Sequence, residues 1–295
     1  MLTIEDAFAK FNHRQELTRG EQDDASRRHL EVRDHLKTEV KLQRDFLTGS
    51  YARWTKTRPL KDVDVFCVLH ADEEGYRRKH PSEILTRFKQ VLAKKYGDER
   101  VCVDRMAVVV NFGVQVDAED DTGDKVMSIE AVPAFAKGDH FEIPDEVDGR
   151  WIETNPEIHA DMAVTAHQRM QAEWKPMVRM IKKWNRTAGS PIEPSFLIEV
   201  MALEILQPPF SGGYPYELKA FFATAAQRMH EAWPDPAGLG SYVNTMSAQQ
   251  RNAARQQLID AEKAVSNAQH LARTNRTGDA LKAWRTLFGP HFPLS

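Results

Sequence analysis

Residues 48–69 read Thr48-Gly49-Ser50-Tyr51-Ala52-Arg53-Trp54-Thr55-Lys56-Thr57-Arg58-Pro59-Leu60-Lys61-Asp62-Val63-Asp64-Val65-Phe66-Cys67-Val68-Leu69. The stretch ends in an apolar run of strand length, introduced by two aspartates one residue apart. Side chains at i and i+2 of a strand share a face, so Asp62 and Asp64 aim their carboxylates into one small volume. Two like charges that close repel unless a cation or a shared proton compensates them. A glycine-opened turn and a hydroxyl, Gly49-Ser50, lie a dozen residues upstream. Together these features equip the stretch to hold a metal-bound polyphosphate.

Outward from this stretch, the chain divides by character. Before it, a charged helical segment is expected from Glu21 to about Gln43, with Val32, Leu36 and Val40 as a narrow apolar stripe. After it come a helix at about Pro81–Lys95 and short strands at Val101–Val103, Ala107–Phe112 and Val126–Val132. This mixture predicts a twisted mixed sheet with a few helices. Beyond Trp151 the pattern is helical, with segments around Trp174–Ile181, Phe196–Leu206, Phe221–Met229, Ser247–Arg273 and Thr277–Phe288. The expected class is α+β and bilobal, with residues 1–150 as a sheet-containing core and 151–295 as a helical lobe. Asp139–Arg150, rich in Gly, Pro and acids, reads as a surface connection between them.

At 295 residues the chain has room for one large bilobal unit or two closely packed domains. No run of about 18 uncharged apolar residues suggests a membrane span. The start, Met1-Leu2-Thr3-Ile4-Glu5-Asp6, has no basic segment leading into an apolar one, so a secretory signal is not expected. The two cysteines, Cys67 and Cys102, fall in strands and read as small buried side chains in a reducing cytoplasm. A net charge of -3 argues against a surface devoted to nucleic acid. It leaves room for a local basic cleft at Arg53, Lys56, Arg58 and Lys61.

Phosphoryl transfer needs positioning, charge neutralisation and an activated hydroxyl. Two magnesium ions, or manganese in their place, supply this when carboxylates hold them. A third carboxylate should come from a neighbouring strand at similar depth. Glu130 is the best candidate, because an acid inside the otherwise apolar run Ile129–Val132 is costly to bury unless paired or metal-bound. Asp117, at the start of an acidic, Gly-containing hairpin loop (Ala118 to Asp124), is the alternative.

Gly49-Ser50, Thr55, Pro59-Leu60 and Asp62-Val63-Asp64 resemble the signature of the polymerase-β-like nucleotidyltransferases. More closely, they resemble the bacterial cyclic GMP-AMP synthase and dinucleotide-cyclase-like enzymes of antiphage signalling, the CD-NTases. The likeness extends to Ile129–Phe135, Met180–Asn185, Ser195–Glu199 and Trp284–Pro290. It implies a polymerase-β-like core plus a helical lobe, with the nucleotide held in the cleft between them. It also implies that Gly49 and Ser50 bind the incoming triphosphate, that Asp62, Asp64 and Glu130 hold two magnesium ions, and that Lys182 and Ser195 reach the phosphates. The third acid of such enzymes is usually aspartate, and Glu130 departs from that. The resemblance further implies ribonucleoside triphosphate substrates, a cyclic nucleotide product acting on a separate effector, and an activating protein or nucleic acid.

Other readings are weighed on the same residues. Ser195, after Pro194, can simply cap a helix, and Lys182, beside Lys183, can be a solvated flank. The same acids could serve template-independent nucleotide addition to RNA, a protein or a small molecule. A nucleotide sensor that has lost catalysis is a third reading, which an intact Asp62–Asp64 pair argues against.

Overall fold

A computed structural model describes residues 2–114, 127–210, 213–240 and 242–295. The chain falls into two compact units, one formed by Leu17–Ala160 and the other by Met1–Glu16 with Asp161–Ser295.

The first unit is built on a mixed sheet. Its strands are β1 (Leu42–Thr48), β2 (Asp62–Leu69), β3 (Val101–Asp104), β4 (Ala107–Asn111), β5 (Ser128–Lys137), β6 (His140–Asp145) and β7 (Arg150–Thr154). The main order is β1-β2-β5-β4-β3, and β6 pairs with the far end of β5 and with β7. Among the described strands only β2 and β5 run parallel; the other pairs are antiparallel. Alternation along β2 gives it two different faces. Val63, Val65 and Cys67 join Ile129, Ala131, Val108 and Val110 in a core covered by α2 (Arg19–Leu36) and α4 (Ser82–Tyr96). On the opposite face Phe66, Val68, Val132 and Ala134 pack with Phe46, Phe141 and Ile143. Asp62, Asp64 and Glu130 occupy the start of that second face, where the apolar cover stops.

The second unit is helical: α1 (Ile4–Gln15), α6 (Trp174–Thr187), α7 (Phe196–Ile205), α8 (Tyr214–Arg228), α9 (Ala248–Arg273) and α10 (Thr277–Phe288) share one core. The long α9 starts with a capping box, Ser247 and Gln250 exchanging hydrogen bonds. The helix α5 (Pro156–Arg169) spans the boundary between the units.

Several expectations are corrected. The helix expected to reach Gln43 stops at Leu36, because Leu42–Thr48 pairs with β2 as an edge strand. The division falls elsewhere than residue 150: Phe8 packs edge-on against Trp284, and Phe11 packs at a tilt against Phe288 and Phe292, which places the first sixteen residues in the helical unit. Asp139–Arg150 is no open connection, since it holds β6 and its turn into β7, and the buried Asp145 accepts hydrogen bonds from Arg105. Cys67 is buried, as expected, but Cys102 is exposed on the edge strand β3. Asp117 and its hairpin lie outside the described residues. Among the described residues, no helix is long and apolar enough to cross a membrane.

Candidate active site

Strand β1 ends with Thr48 opposite Asp64. The chain then turns through the short helix α3 (Gly49–Ala52), with Gly49 at φ 65°. A Cβ placed on Gly49 would lie 1.6 Å from Oδ2 of Asp64 and 2.6 Å from its Cγ. The backbone here packs directly on the carboxylate, so both the conformation and the space demand glycine. The backbone N–H groups of Thr55 and Lys56 donate to the Ser50 carbonyl at 3.0 and 3.1 Å, closing the loop. Lys56 is thereby turned inward and buried, and its Nζ donates to Oδ2 of Asp62 at 2.5 Å. Ser50 is half-buried.

The parallel pairing of β2 with β5 puts Asp64 opposite Glu130 and Asp62 opposite Ser128. Register partners present their side chains on the same face, so Asp62, Asp64 and Glu130 share it. Burial pushes the Asp64 carboxyl up, against the pull of Lys56. Glu130 is pushed up to about 8, first by burial and then by the charges of Asp64 and Asp62. These are carboxylates short of positive charge. Even so, no three His, Cys, Asp or Glu side chains among the described residues already form a metal-holding group, and Asp62 is turned to Lys56 instead.

A stability test follows from the raised carboxyl. Its folded-state pKa lies above the unfolded one, so the folded protein holds the extra proton. The associated cost is absent near pH 4, grows as the pH rises from about 4.5 toward about 8, and levels off above that. In buffer free of divalent ions, Glu130→Gln should raise the melting temperature by about 5 °C at pH 8, corresponding to roughly 2 kcal/mol. At pH 4.5 the gain should vanish. An equal gain at both pH values in thermal melts would show that the charge is not responsible.

Gly49, Ser50, Asp62, Asp64 and Glu130 therefore lie together in the sheet unit. Lys182 and Ser195 belong to the helical unit. Lys182 is no solvated flank: it is buried and donates to Oε1 of the buried Glu199 at 2.6 Å. Ser195 is exposed at the start of α7, and its side chain makes no capping hydrogen bond. Arg53 and Lys56, read from the sequence as part of a local basic cleft, are both buried. No spacing rule marks Lys56 as the partner of Asp62; the contact depends on how the loop closes on Ser50.

Residues 2–166 match the family described as the Second Messenger Oligonucleotide or Dinucleotide Synthetase domain. The chain belongs to this family. As a second messenger oligonucleotide or dinucleotide synthetase it is a nucleotidyltransferase, and its α+β architecture is that of the bacterial CD-NTases, with their polymerase-β-like fold. It is 24% identical over 270 residues to a probable cyclic nucleotide synthase of Bacillus cereus (strain VD146), covering 83% of this chain and 81% of that one. It is 23% identical to the cyclic AMP-AMP-AMP synthase of Acinetobacter sp. (strain ATCC 27244 / 9458), covering 92% and 80% of the two chains. Among solved structures, CdnC of E. coli MS115-1 with ATP superposes with a TM-score of 0.73 at 21% identity, covering 98% of both chains. The same protein in a CdnC:HORMA-deltaN complex gives 0.72 at 20% identity and the same coverage.

Proposed function

We propose that this synthetase joins ribonucleoside triphosphates into a cyclic di- or trinucleotide second messenger. The observation that carries the reading is the face shared by Asp62, Asp64 and Glu130, with the Gly49 backbone pressed on Asp64. A 2′ or 3′ hydroxyl of one nucleotide attacks the α-phosphorus of another. The new ester bond forms as the α–β phosphoanhydride breaks, and pyrophosphate leaves. A further attack of the same kind closes the ring.

Asp62, Asp64 and Glu130 would hold two magnesium ions, or manganese in their place, which supply charge neutralisation and a lowered pKa for the attacking hydroxyl. The donor set fits such ions: three carboxylates offer hard oxygen ligands, two of them with raised pKa values that a nearby cation would bring down. Gly49 fixes where the Asp64 carboxylate stands, and Lys56 steadies Asp62. Gly49 and Ser50 are assigned to the incoming triphosphate, and Lys182 and Ser195 to further phosphate contacts. Within its own unit Lys182 is oriented by Glu199. The product acts on a separate effector in antiphage (CBASS) defence, in the cytoplasm. Activation by a partner protein is in keeping with the HORMA complex of CdnC.

The test is incubation of the pure protein with all four labelled ribonucleoside triphosphates and magnesium or manganese, followed by phosphatase. A small phosphatase-resistant product is expected, and EDTA should abolish it. Label appearing only in added RNA would replace cyclisation with nucleotide addition.

A further inference from the structure

Thr18 and Glu21 form a capping box at the start of α2. The Glu21 N–H donates to Thr18 Oγ1 at 3.1 Å, and the Thr18 N–H donates to Glu21 Oε2 at 2.8 Å. In an exposed helix this would account for the glutamate. Here Glu21 is fully buried, and a carboxylate in that position is costly unless it is satisfied. Two further donors satisfy it: Arg58 Nε at 2.9 Å to Oε2, and the Leu60 N–H at 3.1 Å to Oε1. Leu60 is itself fully buried, and the next carbonyl, that of Lys61, accepts from the Ser128 N–H at 2.9 Å. The segment 58–61 is therefore held by Glu21 on one side and by β5 on the other, immediately before Asp62.

We propose that Glu21 is a positioning residue for the acidic pair: it fixes how the chain enters β2, and so where Asp62 and Asp64 project. This rests on the reading of those aspartates as metal ligands. A helix cap alone would stabilise α2 and leave the aspartates unaffected. A clamp on Arg58 and Leu60 instead transmits the position of the helix to the site.

Glu21→Gln keeps the shape but sets an amide NH2 against a donor in either orientation, Arg58 and Thr18 in one and Leu60 in the other. Thr18→Ala removes the capping hydroxyl and leaves the clamp. Both variants are compared with the unmodified chain well below their melting temperatures. Glu21→Gln should weaken manganese binding about 10- to 100-fold, the usual range for a group that orients a ligand. It should also speed amide exchange across residues 57–63, and lower kcat with KM for nucleotide changed less than about threefold. Thr18→Ala should melt earlier yet bind manganese normally. Adding Arg58→Gln to Glu21→Gln gives the new amide an acceptor on that side while the Thr18 N–H still opposes it, and should restore part of the lost affinity.

Manganese binding by Glu21→Gln equal to that of the unmodified protein would overturn the proposal, as would an equal loss in Thr18→Ala. If Glu21→Gln does not fold, Arg58→Gln alone carries the test, with a smaller loss of the same kind. A different failure, manganese binding that is indifferent to Asp62→Asn with Asp64→Asn, would overturn the metal site itself and this inference with it.

Discussion

Replacing both Asp62 and Asp64 with asparagine should lower nucleotide joining by about a thousandfold or more, which corresponds to at least ~4 kcal/mol of transition-state stabilisation. The shape of each side chain is kept and only the negative charge is lost. Asp64 and Glu130 are register partners on a face where burial already disfavours their charged forms. Losing the Asp64 charge relieves repulsion, while losing the Asp62 charge takes the ion-pair partner from the buried Lys56. These changes offset each other, so the double variant should still fold and melt cooperatively. Chromatography of labelled product and a thermal melt measure the two effects separately. Undiminished product from a folded double variant would reject the assignment of these aspartates.

The second large effect is expected from Gly49→Ala. The new methyl group would overlap the Asp64 carboxylate, at 1.6 Å from Oδ2. Either the turn or the aspartate must move. A displacement of about 1 Å at a reacting centre costs roughly a hundredfold in rate. The left-handed backbone adds a strain of its own, so a control is needed. Gly138 has φ 63°, close to the 65° of Gly49, but a Cβ there meets nothing within 4 Å. Gly138→Ala should share the loss of stability and keep the activity. Equal activity losses in the two variants would show that strain, and not the collision, is responsible.

How far these features could be read in advance depended on whether the chemistry is local. Asp62 and Asp64 announce themselves because a period of two puts both on one face and the apolar run after them sets the strand. Glu130 stood out because an acid in an apolar strand needs a reason, and the register now sets it beside Asp64. Strand β1 was missed because Arg44 and Asp45 interrupt its apolar residues, as suits the edge of a sheet. β6 was hidden by the Gly, Pro and acidic residues around Phe141 and Ile143, which pack on the sheet through every second position. Lys56 and Glu21 depend on contacts that loop closure creates, and no pattern of residue types encodes those. The Thr18-x-x-Glu21 spacing did carry a visible capping signal, but nothing in it points to Arg58 or Leu60.

The packing of α1 against the other end of the chain has a consequence for synthesis. Phe8 and Phe11 leave the ribosome long before Phe288 and Phe292, the rings they pack against edge-on or at a tilt. Residues 17–160 meet all their own partners much sooner and can collapse first. Helix α1 can meet α6 and Tyr214 first, but its contacts with Phe288 and Phe292 form only once those residues have emerged. A nascent chain stalled once Ala160 has just cleared the ribosome should therefore carry a protease-resistant sheet unit with an exposed, cleavable α1.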